Sequence, residues 1–182
     1  MPNSATDVVT YAAAGAAEAA EAADALDMKA DAPARTAADL PPGRAEEIAA
    51  SFSRQGLMRT FGASLVRVER GEVELAMPWS EGVTQQHGFF HGGVVGALAD
   101  SACGYAALSM VGEGEAGLTA EYKINLLSPA RGERLIAVGR VLKPGRTLIV
   151  AQGDVFTETG GVRKAVATML MTLCVVRTLD HV

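Results

Sequence analysis

Between His87 and Met110 the chain reads HGFFHGGVVGALADSACGYAALSM, and the residues best suited to chemistry lie there. After His91-Gly92-Gly93 the run is small and apolar for about five helical turns, and Asp100 is its one ionisable carboxylate. A helix that is apolar on nearly every face belongs in the middle of a domain. An unpaired carboxylate is costly there. Asp100 is therefore either an acid at a helix edge that finds solvent or a backbone donor, or a catalytic carboxylate on a buried helix. Gly92 and Gly93 open that helix, where backbone N–H groups are free at the positive end of the dipole. Glycine lets a ligand approach such amides closely, and they could stabilise the oxyanion formed when a carbonyl is attacked. The structural alternative is a pair of glycines that only permits a tight turn.

Spacing then sets a condition. Asp100 lies eight residues beyond Gly92, about 12 Å along one straight helix. That is too far for both to touch one carbonyl. If they act on the same bond, they come from two copies of the chain, and the catalytic reading requires a homodimer with sites at its interface.

Other motifs carry less. Gly112-Glu113-Gly114-Glu115-Ala116-Gly117 matches G-x-G-x-x-G, but it follows a helix and precedes a strand, the reverse of a dinucleotide fold. It reads as a turn. His87 and His91 have the spacing of two zinc ligands on a helix face, yet Gly88 makes a helix there unfavourable and the metalloprotease Glu is missing. No metal is expected. No G-x-S-x-G elbow is present. Ser101 is adjacent to Asp100 and points about 100° away on a helix.

The elements that must position these residues follow from periodicity. Glu46 to Met58, with Ile48, Phe52 and Met58 as apolar anchors, predicts a short amphipathic helix. Ala63 to Arg70 and Val73 to Met77 predict a hairpin around Gly71-Glu72. Ser80 to Phe90 is a loop feeding the long helix. Leu118 to Leu127 alternates, with Ala120, Tyr122, Ile124 and Leu126 on one face and Thr119, Glu121, Lys123 and Asn125 on the other, as in a half-buried strand. Arg134 to Lys143, Thr147 to Thr157 and Val162 to Arg177 predict three more strands, joined at Pro144-Gly145 and Gly160-Gly161. Hairpin-linked strands argue for an antiparallel sheet, and the single buried helix needs that sheet to curl around it.

Charge divides the chain. Residues 1–40 carry seven acidic and two basic side chains and sixteen alanines, whereas 41–182 has fourteen charges of each sign. Residues 1–43 therefore read as a low-complexity acidic extension ended by Pro41-Pro42-Gly43, and 44–182 as one domain. A neutral domain offers no basic field for nucleic acid or anionic membrane. No stretch is apolar enough to span a bilayer. Cys103 and Cys174 sit in apolar runs and suggest a reducing, cytoplasmic compartment without a disulfide framework.

Three blocks carry a resemblance: Gln85-Gln86-His87-Gly88-Phe89-Phe90-His91-Gly92-Gly93 with Asp100; Leu118 to Asn125 with Ser128-Pro129-Ala130; and Leu142 to Leu148. Together they resemble the hot-dog-fold acyl-CoA thioesterases of the PaaI-like group, over roughly residues 45–178. The resemblance implies an α+β fold in which an antiparallel curved sheet wraps one long helix. It also implies dimers that share two sites, often paired into tetramers, an acyl-CoA substrate and no cofactor. By the same resemblance Asp100 is the nucleophile or the general base that activates water, and the Gly92 N–H of the other subunit polarises the thioester carbonyl. Gln85, with Gln86 as its substitute, orients water or the carbonyl. Thr119 hydrogen-bonds the water near the acid. His91 orders the loop, and Gly93 lies with it at the substrate. Lys143 and Arg146 flank a turn and either meet the coenzyme A phosphates or are solvated charges. The small residues Ala97, Ala102 and Gly104 suggest room beside the helix for an aryl or alkyl acyl group. A non-catalytic acyl-CoA-binding or sensing module on the same fold is the alternative, against which the presence of Asp100 weighs.

Overall fold

A computed structural model of the protein describes residues 40–177. The expectations for the acidic extension before residue 40 lie outside the described residues. The long helix, Gly92–Leu108, is the axis of the domain, and its Leu98, Ala99, Ala102, Ala106 and Ala107 are fully buried. Two helices precede it, α1 (Arg44–Arg54) and α2 (Gly56–Phe61), so the long helix is α3. The strands are β1 (Ser64–Glu69), β2 (Glu72–Pro78), β3 (Glu115–Leu126), β4 (Arg134–Pro144), β5 (Leu148–Thr159) and β6 (Val162–Arg177).

Ala and Leu, seven of the seventeen residues of α3, favour helix. Its start is capped unusually, by the His91 imidazole, whose Nδ1 accepts from the Gly93 N–H. Its end is tied down by Ser109, whose hydroxyl donates to Ala106 O and accepts from Gly71 N–H at 2.7 Å. Gly71 sits in the β1–β2 turn at φ +78, a conformation costly for any side chain. The hairpin and the helix end are thereby locked together.

All strand pairings among the described residues are antiparallel, in the order β1-β2-β4-β5-β6-β3. The chain leaves β2, runs along α3 over one face of the sheet, and enters β3 at the opposite edge. Register shifts interrupt four of the five pairings. Bulges of this kind bend strands and increase twist, which lets the sheet wrap the helix as expected.

Contact between helix and sheet depends on two glycines. Gly139 and Gly153 pair across β4 and β5. A Cβ at Gly139 would stand 2.4 Å from Ala102 C and O, and one at Gly153 would stand 3.0 Å from Cys103 Sγ. Around this close approach Leu135, Ile149, Met169, Met171 and Leu173 are buried, each worth about 1.5–3 kcal/mol relative to exposure. The other face of the sheet carries charge. There Glu72 lies between Arg67, which it contacts directly, and Arg140, whose Nε is 2.7 Å away.

Two expectations are corrected. The helix expected over Glu46 to Met58 is two helices, because Gln55 is extended (ψ 108) and the chain turns there. The alternation of β3 is broken. Thr119 pairs with Leu173 and Glu121 with Thr172, which leaves Ala120 as a bulge. Thr119 therefore shares a face with Tyr122, Ile124 and Leu126 instead of opposing them. Moreover β3 is an edge strand, with Leu118 56%, Tyr122 47% and Leu126 58% exposed, so it is less buried than its pattern suggests.

Candidate functional site

The candidate residues fall into two groups along α3. At its N-terminal end the loop from Gln85 is folded on itself. Gln85 N–H donates to Phe89 O, Gly88 N–H to Gln85 O, and His87 N–H to the Gln85 side-chain oxygen. The Trp79 indole N–H holds Gly88 O at 3.1 Å. His91 N–H donates to Val83 O and Phe90 N–H to Ala130 O, which aim the loop into the helix.

The His91 contact has a chemical consequence. Its Nδ1 accepts from Gly93 N–H at 2.9 Å, so the proton of the neutral ring is on Nε2. His91 is thus a helix cap, with its Nδ1 lone pair engaged by the backbone. Gly93 N–H is used in the same contact. Among the described residues, no acceptor lies on the Gly92 N–H. A Cβ at Gly92 would stand 3.1 Å from Leu126 Cδ1, so β3 passes close beside this amide.

At the second group, Thr119 Oγ1 donates to Asp100 Oδ1 at 2.8 Å. The Ala120 bulge makes this contact possible by turning Thr119 toward the helix. Asp100 is partly exposed, not sealed in the core, and it lines a cleft of about 260 Å³. Ser51, Gln55, Ser101, Gly104, Tyr105, Leu108 and β3 residues through Thr119 line it too. Ser101 therefore does share the cleft with Asp100, although the two side chains diverge on the helix. Cys103, the other reactive type on this helix, is inert: burial, with the negative charges of Asp100 and Asp154, pushes its thiol up to about 12.

Asp100 and Thr119 are thus brought together. Gly92, Gly93, His91, Gln85 and Gln86 are grouped at the other end of the helix, about 12 Å away by helical rise. Lys143 and Arg146 are exposed at the β4–β5 turn. That turn lies at the end of the sheet where β3 begins, since Leu148 and Leu118 both pair with Cys174.

Sequence reasoning missed Ser51 and Gln55. For Ser51 the signal was available: it lies three residues after the core anchor Ile48, on the core-facing stripe of α1, whereas Gln55 lies just past the end of α1. The Phe52 ring packs edge-on against Tyr105 at 5.7 Å, which brings that stripe over the C-terminal half of α3.

Residues 87–164 match the family model of the thioesterase superfamily. A crystal structure of a thioesterase family protein from Silicibacter pomeroyi is 46% identical and superposes with a TM-score of 0.73, over 75% of this chain and 100% of that one. Acyl-coenzyme A thioesterase 13 of Homo sapiens is 30% identical over 118 residues, 64% of this chain and 84% of that protein. The E. coli PaaI protein from the phenylacetic acid degradation operon, at 21% identity and TM-score 0.65 over 78% of this chain and 97% of that one, shares the fold. With a helix wrapped by six antiparallel strands among its described residues and these relatives, the chain belongs to the thioesterase superfamily, as a PaaI-like hot-dog thioester hydrolase.

Proposed function

We propose that the protein hydrolyses acyl-CoA thioesters at sites shared between two copies of the chain. Asp100 supplies the negative charge, as the base for water or as the attacking carboxylate. The Gly92 N–H of the partner stabilises the oxyanion. In the water route, water oxygen adds to the thioester carbon and its proton passes to Asp100. The tetrahedral intermediate then collapses, and coenzyme A leaves as a thiolate that takes up that proton. A thiol of pKa about 8.5 leaves readily, so one carboxylate and one oxyanion donor suffice without a triad.

The observation that carries this reading is the position of β3. It is a long edge strand with exposed apolar side chains, and such an edge is a template for pairing. Leu126 lies beside Gly92 and Thr119 beside Asp100. In a two-fold pairing residue i meets j and j meets i. Antiparallel pairing of β3 with its copy therefore carries the Gly92 end of one helix toward the Asp100 end of the other. The dimer is the minimum unit of this reading, and a tetramer is two of them.

Thr119 holds one Asp100 oxygen and leaves the other for water. The Gln85 side-chain oxygen is engaged by His87 N–H, which leaves its NH₂ as a donor for the carbonyl or the water. Gln86 and Gly93 flank the thioester, and His91 keeps the loop in place. Lys143 and Arg146 meet the coenzyme A phosphates at the Asp100 end. Two free cysteines among the described residues fit a reducing, cytoplasmic setting.

The test is a panel of acyl-CoA thioesters followed by thiol release, with Asp100→Asn beside the wild type. Loss of a general base is worth ~10²–10⁴-fold, so kcat should fall at least about a hundredfold with acyl-CoA binding retained. Near-normal kcat in Asp100→Asn would end the catalytic reading and favour an acyl-CoA-binding module.

A further inference from the structure

The loop that carries Gln85 is held differently at its base and at its tip. Backbone contacts fix the base: Thr84 and Phe90 form an antiparallel bridge, His91 N–H donates to Val83 O at 3.0 Å, and Phe90 N–H donates to Ala130 O at 2.9 Å. The tip, residues 85–89, closes on itself. Gly88 N–H donates to Gln85 O at 3.0 Å, Gln85 N–H to Phe89 O at 2.9 Å, and His87 N–H to the Gln85 side-chain oxygen. Gly88 turns the chain at φ +80. Bonds internal to a turn fix its shape but not where it points. Among the described residues, one hydrogen bond ties this tip to the rest of the domain: the Trp79 indole N–H on Gly88 O at 3.1 Å.

Trp79 has a firm footing for that task. It directly follows β2, and its backbone N–H donates to Glu133 O at 2.8 Å, one residue past the Pro78–Arg134 pair that ends the β2–β4 ladder. Burial does not account for the indole. It is 46% exposed and borders an open cleft of about 570 Å³ with Arg131, Gly132, Glu133 and Thr159. Space beside the ring means that packing alone does not hold it, so the hydrogen bond sets its place. The indole N–H is a donor only, and 3.1 Å is within the normal N–H···O range.

The geometry points to Trp79 as a positioning residue for hydrolysis, acting through Gly88 on Gln85; this rests on the acyl-CoA reading above. A turn pinned at Gly88 O keeps the Gln85 NH₂ in one place at the start of α3, where it donates to the carbonyl or the water. Released from the indole, the tip pivots about its base and the NH₂ spends time out of reach. Such displacements are costly, since a misplacement of about 1 Å can slow a reaction about 10²-fold. Trp79 itself touches no reacting atom.

The experiment is a double-mutant cycle on the full chain, with Trp79→Phe, Gln85→Ala and the pair, using the best substrate of the acyl-CoA panel. Trp79→Phe keeps a ring and removes the indole N–H. Its kcat should fall about tenfold, near the upper worth of one hydrogen bond, with KM within about twofold of wild type. Its melting temperature should stay near that of the wild type, because the lost ring surface is half exposed. In the Gln85→Ala background the same substitution should change kcat by less than about twofold, because the group it positions is gone. An equal loss of kcat in both backgrounds would overturn the inference, since Trp79 then acts on something other than Gln85. Unchanged kcat in Trp79→Phe would sink it too. So would full activity in Gln85→Ala, which leaves the thioesterase reading on Asp100 standing. A wild-type chain that turns over no acyl-CoA would end both.

Discussion

The shared-site mechanism turns on one backbone hydrogen, and the fold offers an unusually clean way to delete it. Gly92 is the first residue of α3, with His91 as its cap. Proline is well tolerated at that position, because its missing N–H is one that the helix does not use. The preceding residue is also compatible: His91 is in the extended, polyproline-like region, and its ψ of 137 is the kind favoured before proline. A Cβ at residue 92 would stand 3.1 Å from Leu126 Cδ1, the far end of a flexible side chain that can give by a few tenths of an ångström. Gly92→Ala makes the same contact and keeps the N–H, so it isolates the effect of the hydrogen. Loss of one oxyanion donor typically costs ~10²–10³ in kcat. We therefore expect Gly92→Pro to fold with a melting temperature close to that of Gly92→Ala, and to turn over acyl-CoA at least about a hundredfold more slowly.

Mixing then tests whether the site is shared. In dimers co-expressed from Gly92→Pro and Asp100→Asn chains with different tags, one site combines the intact Gly92 of one chain with the intact Asp100 of the other. The second site carries both defects. At equal expression about half the dimers are mixed, and each has one of two sites intact, so thiol release should recover to about one quarter of the wild-type rate. Equal kcat in the proline and alanine variants would remove the oxyanion role. A mixture as inactive as its parents would refute the shared site, since only an intrachain pairing leaves every site broken.

Three further outcomes follow from the packing and the ionisation described above. Gly139→Ala pushes a methyl against the backbone of Ala102 and Cys103 at 2.4–2.5 Å, and overpacking of this kind costs typically ~1–3 kcal/mol; urea unfolding should show it, and an unchanged midpoint would mean that α3 rides further from the sheet. Cys103, with its thiol near 12, should resist a thiol reagent at about pH 8 until the protein unfolds, whereas the partly exposed Cys174 should react in the native state; mass mapping of the label distinguishes them. Burial pushes the Glu72 carboxyl up, but hydrogen bonds and charge from Arg67 and Arg140 outweigh it, and the folded value lies below the ordinary 4.5. Its stabilisation is then complete above the unfolded value and lost as pH falls through the folded one. The urea-midpoint gap between wild type and Glu72→Gln should narrow on acidification from about pH 6 to about pH 3, and a constant gap would contradict the shift.

Much of this was legible in the chain because the signals were local. An apolar run opened by two glycines and interrupted by one acid specified α3, and the motif around His91 carried the family. Strand order was not legible: periodicity identifies β3 but does not say that it crosses to the edge beside β6. Gly139 and Gly153 were legible in principle, since a lone glycine within a strand often marks a close approach. At the break, Gln55 is extended and its N–H closes on Phe52 O, with Gly56 opening the next helix, and periodicity alone does not mark that turn.

The misreading of β3 has the most to teach about the site. Strict alternation puts Thr119 and Tyr122 on opposite faces, yet both face α3, because Ala120 is a bulge. Nothing in the type of Ala120 announces this, and no positive φ is needed, since among the described residues only glycines have one. The bulge answers two demands at once. Beyond it, Tyr122 and Leu126 must lie against Gly96 and Gly92, where their contacts seat the strand on the first half of the helix. Before it, Thr119 must reach Asp100 on the second half. A regular strand that met the packing demand would point Thr119 away from the acid. One that met the chemical demand would point Tyr122 and Leu126 away from α3. The extra residue uncouples the two, so the register of the edge strand can serve the core at one end and the carboxylate at the other.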